Sequence, residues 1–165
     1  MNTNKQHNNA LYAIELSNKP GKDTTFQVCL PVIQTRTETE ETRVISPAQR
    51  GTERILYDVE FDQGQMNHAI KNIIINAVES MPDSGSIIVK ADNFTITTER
   101  DLPLSEGKYV KISIRDHGVG IPEKHLPKIF DPYFSTKEMG TQKGMGLGLA
   151  TTYSIINRHG GHITV

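Results

Sequence analysis

A two-layer α/β sandwich, its sheet mixed but mainly antiparallel and its helices on one face, is the fold this sequence predicts, on three observations. Residues 63–81 carry apolar side chains at helical spacing. The run YVKISIR at 109–115 alternates as a half-buried strand should. The other apolar runs are short, rich in β-formers and bounded by turn residues.

Taken in chain order, LYAIEL and TTFQVCLPV flank the turn formers Asn18 to Lys22, which predicts a hairpin within residues 1–33. Residues 34–54 are polar and rich in Thr and Glu, and bury too little apolar surface to offset their ordering entropy, so they read as a disordered linker. One ordered domain is expected over 55–165, opening with an extended lead-in at Ile55 to Tyr57. Asp62 is placed to cap the helix that follows. On that helix Ile70, Ile73, Ile74, Ala77, Val78 and Met81 form the expected packing face, while Gln65, His68, Asn72, Asn76 and Glu79 line the other side. Pro82 to Gly85 ends it, and SIIVKA with FTITT reads as a pair of strands. A short helix is expected over 123–130 and a last one over 148–159, stopped by Gly160 and Gly161.

The bulk chemistry narrows the function by exclusion. Lys and Arg number 18 against 19 Asp and Glu, a formal charge of −1, so no electrostatic grip on nucleic acid or anionic lipid is expected. A lone cysteine, Cys29, allows no internal disulfide and suits a reducing interior. The polar start is no signal peptide and no apolar run approaches about 18 residues, so the chain reads as soluble and cytoplasmic, without a membrane partner of its own.

Three motifs carry chemistry. Asn72 and Asn76, four apart, project from one side of the helix, and a side-chain amide oxygen suits a Mg²⁺ ion carrying nucleotide phosphates without adding negative charge. Asp116-x-Gly118-x-Gly120 leaves a strand: its carboxylate can accept from the exocyclic amine of adenine, which guanine lacks at that place, and its glycines let backbone lie against a purine. The run Lys143, Gly144, Met145, Gly146, Leu147, Gly148, Leu149 puts alternating glycines before a helix, where N–H groups can converge on phosphate oxygens. It is neither a Walker A loop nor a dinucleotide fingerprint. Between them, Tyr133, Phe134, Lys137 and Lys143 lie in an irregular, glycine-bounded stretch that reads as a lid. Alone, the three motifs can also be read as a polar helix face, an Asp-Gly turn and a flexible loop.

Their order resembles the ATP-binding domain of sensor histidine kinases, within the Bergerat-fold (GHKL) superfamily that includes gyrase and Hsp90. QMNHAIKNIIINAVESMP is similar to that family's N box, DHGVGIP to its G1 box, IFDPYFSTK to its F box, and KGMGLGLATTYSIINRHGG to its G2 box, from Asp62 almost unbroken to Val165. The resemblance implies that Asn76 coordinates Mg²⁺ and Asn72 supports the metal or phosphate shell, with Lys137 approaching the phosphates. It implies that Asp116 binds the adenine amine, that Gly118, Gly120 and Ile121 shape the purine slot, and that Phe130 anchors the lid. Lys143, Gly144, Gly146, Leu147, Gly148 and Leu149 would form the phosphate loop. Asn72 stands where ATP-hydrolysing members place a basic glutamate, so transfer rather than hydrolysis is implied. The partners implied are a phosphoacceptor (dimerisation) domain bearing the substrate histidine and, downstream, a response-regulator receiver; His7 lacks the surrounding helical pair of a phosphoacceptor. A non-catalytic ATP sensor or docking module of the same fold is the alternative.

The order of elements departs from the family. The hairpin that normally follows HGGHITV resembles residues 7–31 instead, with Asp23 at a usual glycine, so the chain looks circularly permuted. The linker has enough residues to bridge roughly 50 Å when extended, which permits closure within one molecule, and exchange between two molecules is the other arrangement. Thr24 would then lie where the family hydrogen-bonds adenine.

Overall fold

The structure, a computed structural model, describes residues 23–33, 56–81, 84–97, 103–136 and 145–165. The first arm of the expected hairpin, the linker, Lys137, Lys143 and Gly144 therefore lie outside the described residues.

Strand β1 (Thr24–Pro31) comes first, and alternation explains its placement: Phe26, Val28 and Leu30 are buried toward the helices, while Cys29 is buried on the opposite face. Each of these large side chains contributes about 1.5–3 kcal/mol by leaving water. Helix α1 (Gln63–Glu79) starts at Asp62, whose Oδ1 accepts the Gln65 N–H at 2.7 Å. Strands β2 (Ile87–Ile96) and β3 (Gly107–Asp116) follow, then a 3-10 helix (Glu123–Lys128), helix α2 (Gly148–Arg158) and the short β4 (His162–Thr164).

The sheet order is β2-β3-β1-β4, and every pairing among the described strands is antiparallel. Thus β1, the first described strand, is an interior strand: it pairs with β3 from Thr24↔Asp116 to Pro31↔Tyr109 and with β4 from Gln27↔Thr164 to Cys29↔His162. Of the expected lead-in, Ile55 lies outside the described residues and Leu56 and Tyr57 are in no strand; two residues on, Val59 forms an isolated bridge with Val32. The main core lies between one sheet face and the two helices, with Phe26, Val28, Leu30 and Ile114 meeting Met66, Ala69, Ile73, Ile155 and Ile156. A smaller cluster of Cys29, Phe94, Ile96 and Tyr109 seals the other face, and burial pushes the Cys29 thiol up to about 11.

Three expectations need correction. SIIVKA and FTITT do not form two strands; residues 87–96 are one continuous strand whose pairing with β3 runs unbroken from Ile87↔Asp116 to Ile96↔Gly107, the turn formers Asp92 and Asn93 included. The buried stripe of α1 is Met66, Ala69, Ile73 and Ala77, with Ile70 and Ile74 at its margin, whereas Val78 is 56% exposed. Ala69 faces α2, its carbonyl 3.3 Å from Thr152 Oγ1, and the face of α1 that carries it is the one turned inward, which leaves Val78 outside. The helix expected over 123–130 is a 3-10 turn ending at Lys128, with Pro127 inside it.

Because β1 is interior, Phe26→Ala should lower stability by about 3–5 kcal/mol; a urea midpoint equal to that of the parent chain would show that β1 does not hold the sheet together.

Candidate nucleotide site

The site is assembled from the ends of four elements around α1. Asn72, Asn76 and Ser80 fall at successive turns of its polar side. At the middle of the helix, Asn72 Nδ2 donates to the Gly148 carbonyl at 3.0 Å and reaches Thr152 Oγ1 at 3.4 Å. Thr152 is fully buried, and its hydroxyl lies 2.9 Å from the Gly148 carbonyl and 3.3 Å from that of Ala69. These bonds fix the first turn of α2 beside the Asn72–Asn76 amides.

Helix α2 has no side-chain cap at Leu147 and no acidic residue in its first turn, so its N-terminal N–H groups and partial positive charge stay available to an anion. A Cβ at Gly148 would meet only Asn72, at an ordinary 3.7 Å, so protein packing does not require glycine there. The missing side chain instead leaves a cradle in which a phosphate could approach the backbone. Leu147 is 37% exposed at the helix start, and Leu149 packs against the core.

At the C-terminal end of α1 stands Asp116, the last residue of β3 and 2% exposed. Its Oδ1 accepts the Gly118 N–H at 2.9 Å and the Ser80 hydroxyl at 3.0 Å. A Cβ at Gly118 would overlap Ser80 Oγ and lie 2.7 Å from the Ser80 carbonyl, so the turn can only close with glycine there. The Val119 N–H bonds that same carbonyl at 3.1 Å, and Gly120 is left-handed at φ 72°. Ile121 packs against the core beside this turn. Thr24, 3% exposed, faces Asp116 in the β1–β3 register.

One residue before Thr24, Asp23 accepts from Arg115 at 2.6 Å and from His117 at 3.2 Å. The Arg115 hydrogen bond, then that of His117, holds its carboxyl below the ordinary 3.8. This clasp joins the start of β1 to both neighbours of Asp116.

The lid base is also built. Ile129 is buried, and Phe130 and Phe134 pack against the core, Phe130 lying 5.3 Å from the Tyr153 ring. Tyr133 adopts a left-handed φ of 67°, and its N–H bonds the Gly146 carbonyl at 3.0 Å. Gly146, at φ 64°, would place a Cβ 2.5 Å from the Tyr133 carbonyl carbon and 2.6 Å from the Phe134 oxygen. The F-box segment and the glycine loop are thereby stitched together on the two sides of residues 137–144.

The sequence-predicted residues Asn72, Asn76, Asp116, Gly118, Gly120, Gly146, Gly148 and Thr24 therefore come from separate segments into one region. Ser80 and Thr152 were missed. The i+4 spacing of Ser80 from Asn76 was a signal for the first; nothing in an apolar helix marks a threonine as an inter-helix strut.

A Mg²⁺ ion fits this donor set only as part of a nucleotide complex. Among the described residues no group of three His, Cys, Asp or Glu could cage a metal, while Asn76 offers one hard, neutral oxygen donor.

Comparison with known proteins points the same way. The family model described as "Histidine kinase-, DNA gyrase B-, and HSP90-like ATPase" matches residues 61–165. Curated relatives include the "Sensor kinase CckA" of Brucella abortus, 42% identical over 67% of this chain and 12% of that protein. The "Sporulation kinase A" of Bacillus subtilis is 41% identical over 63% of the chain and 14% of its own length. The "Sensor histidine kinase WalK" of the same organism is 35% identical over 67% and 17%. The chain thus spans 12–17% of the length of these three relatives, and β1 lies outside the family match although it sits inside the sheet.

Gly118→Ala should cost roughly 1–3 kcal/mol by driving the Asp116 turn off Ser80, read as a fall in melting temperature; unchanged stability would mean that the turn is not closed against α1. For Asp23, whose folded pKa is depressed, the stabilisation is complete above 3.8 and disappears as the pH falls through the folded value. The urea midpoint of the parent chain should accordingly drop more steeply below that pH than the midpoint of Asp23→Asn, and parallel curves would dismiss the clasp.

Proposed function

The chain belongs to the histidine kinase-, DNA gyrase B- and HSP90-like ATPase family, and from that premise we propose that it is the Mg-ATP-binding catalytic module of a two-component sensor kinase, donating the γ-phosphoryl group to a histidine on a separate dimerisation and phosphoacceptor domain. One observation carries the reading: α1 is hydrogen-bonded at its middle to the start of α2 through Asn72 and at its C-terminal end to Asp116 through Ser80. A single rigid helix therefore spans a base-recognising carboxylate and an uncapped, anion-accepting helix terminus.

In this reading the Asp116 carboxylate accepts from the adenine 6-amine, and the Gly118–Gly120 turn lies against the ring with Ile121 behind it. Thr24 adds a second polar contact from β1. Asn76 contributes an oxygen to Mg²⁺, which when bound neutralises phosphate charge as the phosphoryl group leaves. The first-turn N–H groups of α2, with Gly144, Gly146 and Gly148, receive phosphate oxygens, and Lys137 and Lys143 bring positive charge from the lid. Phe130 and the Tyr133–Gly146 bond hold the lid's base. Asn72 supplies no carboxylate to activate water and is engaged with Gly148 and Thr152, which supports transfer over hydrolysis. A neutral imidazole is its own nucleophile, so positioning and charge neutralisation are what the module must provide.

The phosphoacceptor domain and a response-regulator receiver are the partners this reading requires, on the cytoplasmic side where ATP is found. Among the described residues no helix is long and apolar enough to cross a membrane. The interior place of β1 supports a circular permutation, with residues 34–54 linking the relocated hairpin to the domain at 55–165.

Asn76→Asp and Asp116→Asn should each weaken Mg-ATP binding by roughly 10- to 100-fold, the worth of a contact to a charged group, with circular dichroism unchanged. Undiminished calorimetric affinity in both would remove the site assignment. Incubation with an isolated dimerisation-phosphoacceptor domain and γ-labelled ATP should then leave acid-labile label on histidine, whereas binding without label would assign the chain to the sensor or docking role.

A further inference from the structure

The stripe that holds Asn72 and Asn76 has a third member one turn further on. Ser80 is the C-cap of α1, and its hydroxyl lies 2.7 Å from the Ala77 carbonyl and 3.0 Å from Asp116 Oδ1. A hydroxyl carries one proton, so these two acceptors compete for it. The Ala77 carbonyl already receives the Ser80 backbone N–H at 3.2 Å. Asp116, at 2% exposure, is cut off from water and gains more from a donor. The proton therefore belongs to the carboxylate.

Two further contacts fix Ser80 in this role. Its carbonyl accepts the Val119 N–H at 3.1 Å, and the absent Cβ of Gly118 is what lets the Asp116 turn reach it. Among the described residues, the donors that meet the Asp116 carboxylate both reach Oδ1. The terminal torsion of an aspartate is broad and roughly two-fold, so one donor alone does not define where Oδ2 points. Two donors arriving from different elements do.

We propose that Ser80 is the positioning residue for base recognition: its hydroxyl and the Gly118 N–H clamp Oδ1 so that Oδ2 is presented to the 6-amino group of a purine, and the preference for a 6-amino over an unsubstituted or 6-oxo purine depends on it. This rests on the nucleotide reading above. Ser80 acts through Asp116 and does not touch the base. Nothing about its side chain is specific to phosphate or metal, so its removal should be felt at the base alone.

The test uses the full chain and calorimetric affinities for Mg-ATP and for the Mg complex of purine riboside triphosphate, which lacks the 6-amine. The parent chain should prefer ATP by about ten-fold, a hydrogen bond to a charged group. S80A and S80G should both bind ATP about five-fold more weakly with the analogue unaffected, so that the ratio collapses. In a D116N background, S80A should produce no further loss, since both groups act in one interaction. Retention of the parental ratio in S80A and S80G would overturn the proposal, as would an equal loss for both nucleotides, the signature of a merely structural serine. If the parent chain itself binds the two nucleotides equally, the assignment of Asp116 to the adenine amine falls first, and Ser80 with it.

Discussion

A carboxylate that is almost wholly withdrawn from water can persist only where donors converge on it, and satisfying Asp116 organises the rest of the molecule. The Gly118 N–H requires a turn immediately after β3. The Ser80 hydroxyl requires that turn to rest on the end of α1, which only a glycine at 118 permits. Thr24 opposite Asp116 requires β1 in the sheet interior, so the first described strand of the chain becomes part of the site's wall. The Asp23 clasp to Arg115 and His117 fastens the same corner from the solvent side.

From that anchored end, α1 conveys geometry back along its length. Midway it is bonded to Gly148 and Thr152 through Asn72, so the Asp116 turn and the start of α2 are held by one helix. Rigidity here contrasts with the lid base, where two left-handed residues, Tyr133 and Gly146, are tied by one backbone bond. A non-glycine residue held at positive φ stores backbone strain of order 1–3 kcal/mol. Among the described residues, the non-glycine residue at positive φ is Tyr133, beside the two segments that flank residues 137–144.

Much of this was legible in the residues themselves. Asp62 reads as a cap and caps α1; Asn72, Asn76, Asp116 and the alternating glycines are marked by spacing; and the family match covers the same span as the boxes that suggested it. The misreadings share a physical cause. Val78 belongs to the apolar arc of α1 by periodicity, but which part of that arc is buried depends on the neighbouring elements, which cover Met66, Ala69, Ile73 and Ala77. Residues 87–96 contain polar positions that read as a break, yet along a strand such positions only alternate faces. Spacing puts Ser80 on the same side of α1 as Asn76, but serine near a helix end ordinarily caps its own backbone, and the second acceptor that sets it apart comes from a strand 36 residues away.

Local patterns determined what this chain could do on its own terms: helical and strand periods, turn residues and the chemistry of an aspartate, two asparagines and a glycine loop all act over a few neighbouring positions. The tertiary structure decided which of those groups meet. That β1 lies between β3 and β4, that Ser80 and Gly118 share the Asp116 oxygen, and that Asn72 braces α2 all follow from packing between segments far apart in the chain. Such contacts depend on shape and on burying every polar group with a partner, a condition set by the whole fold and written in no single stretch of it.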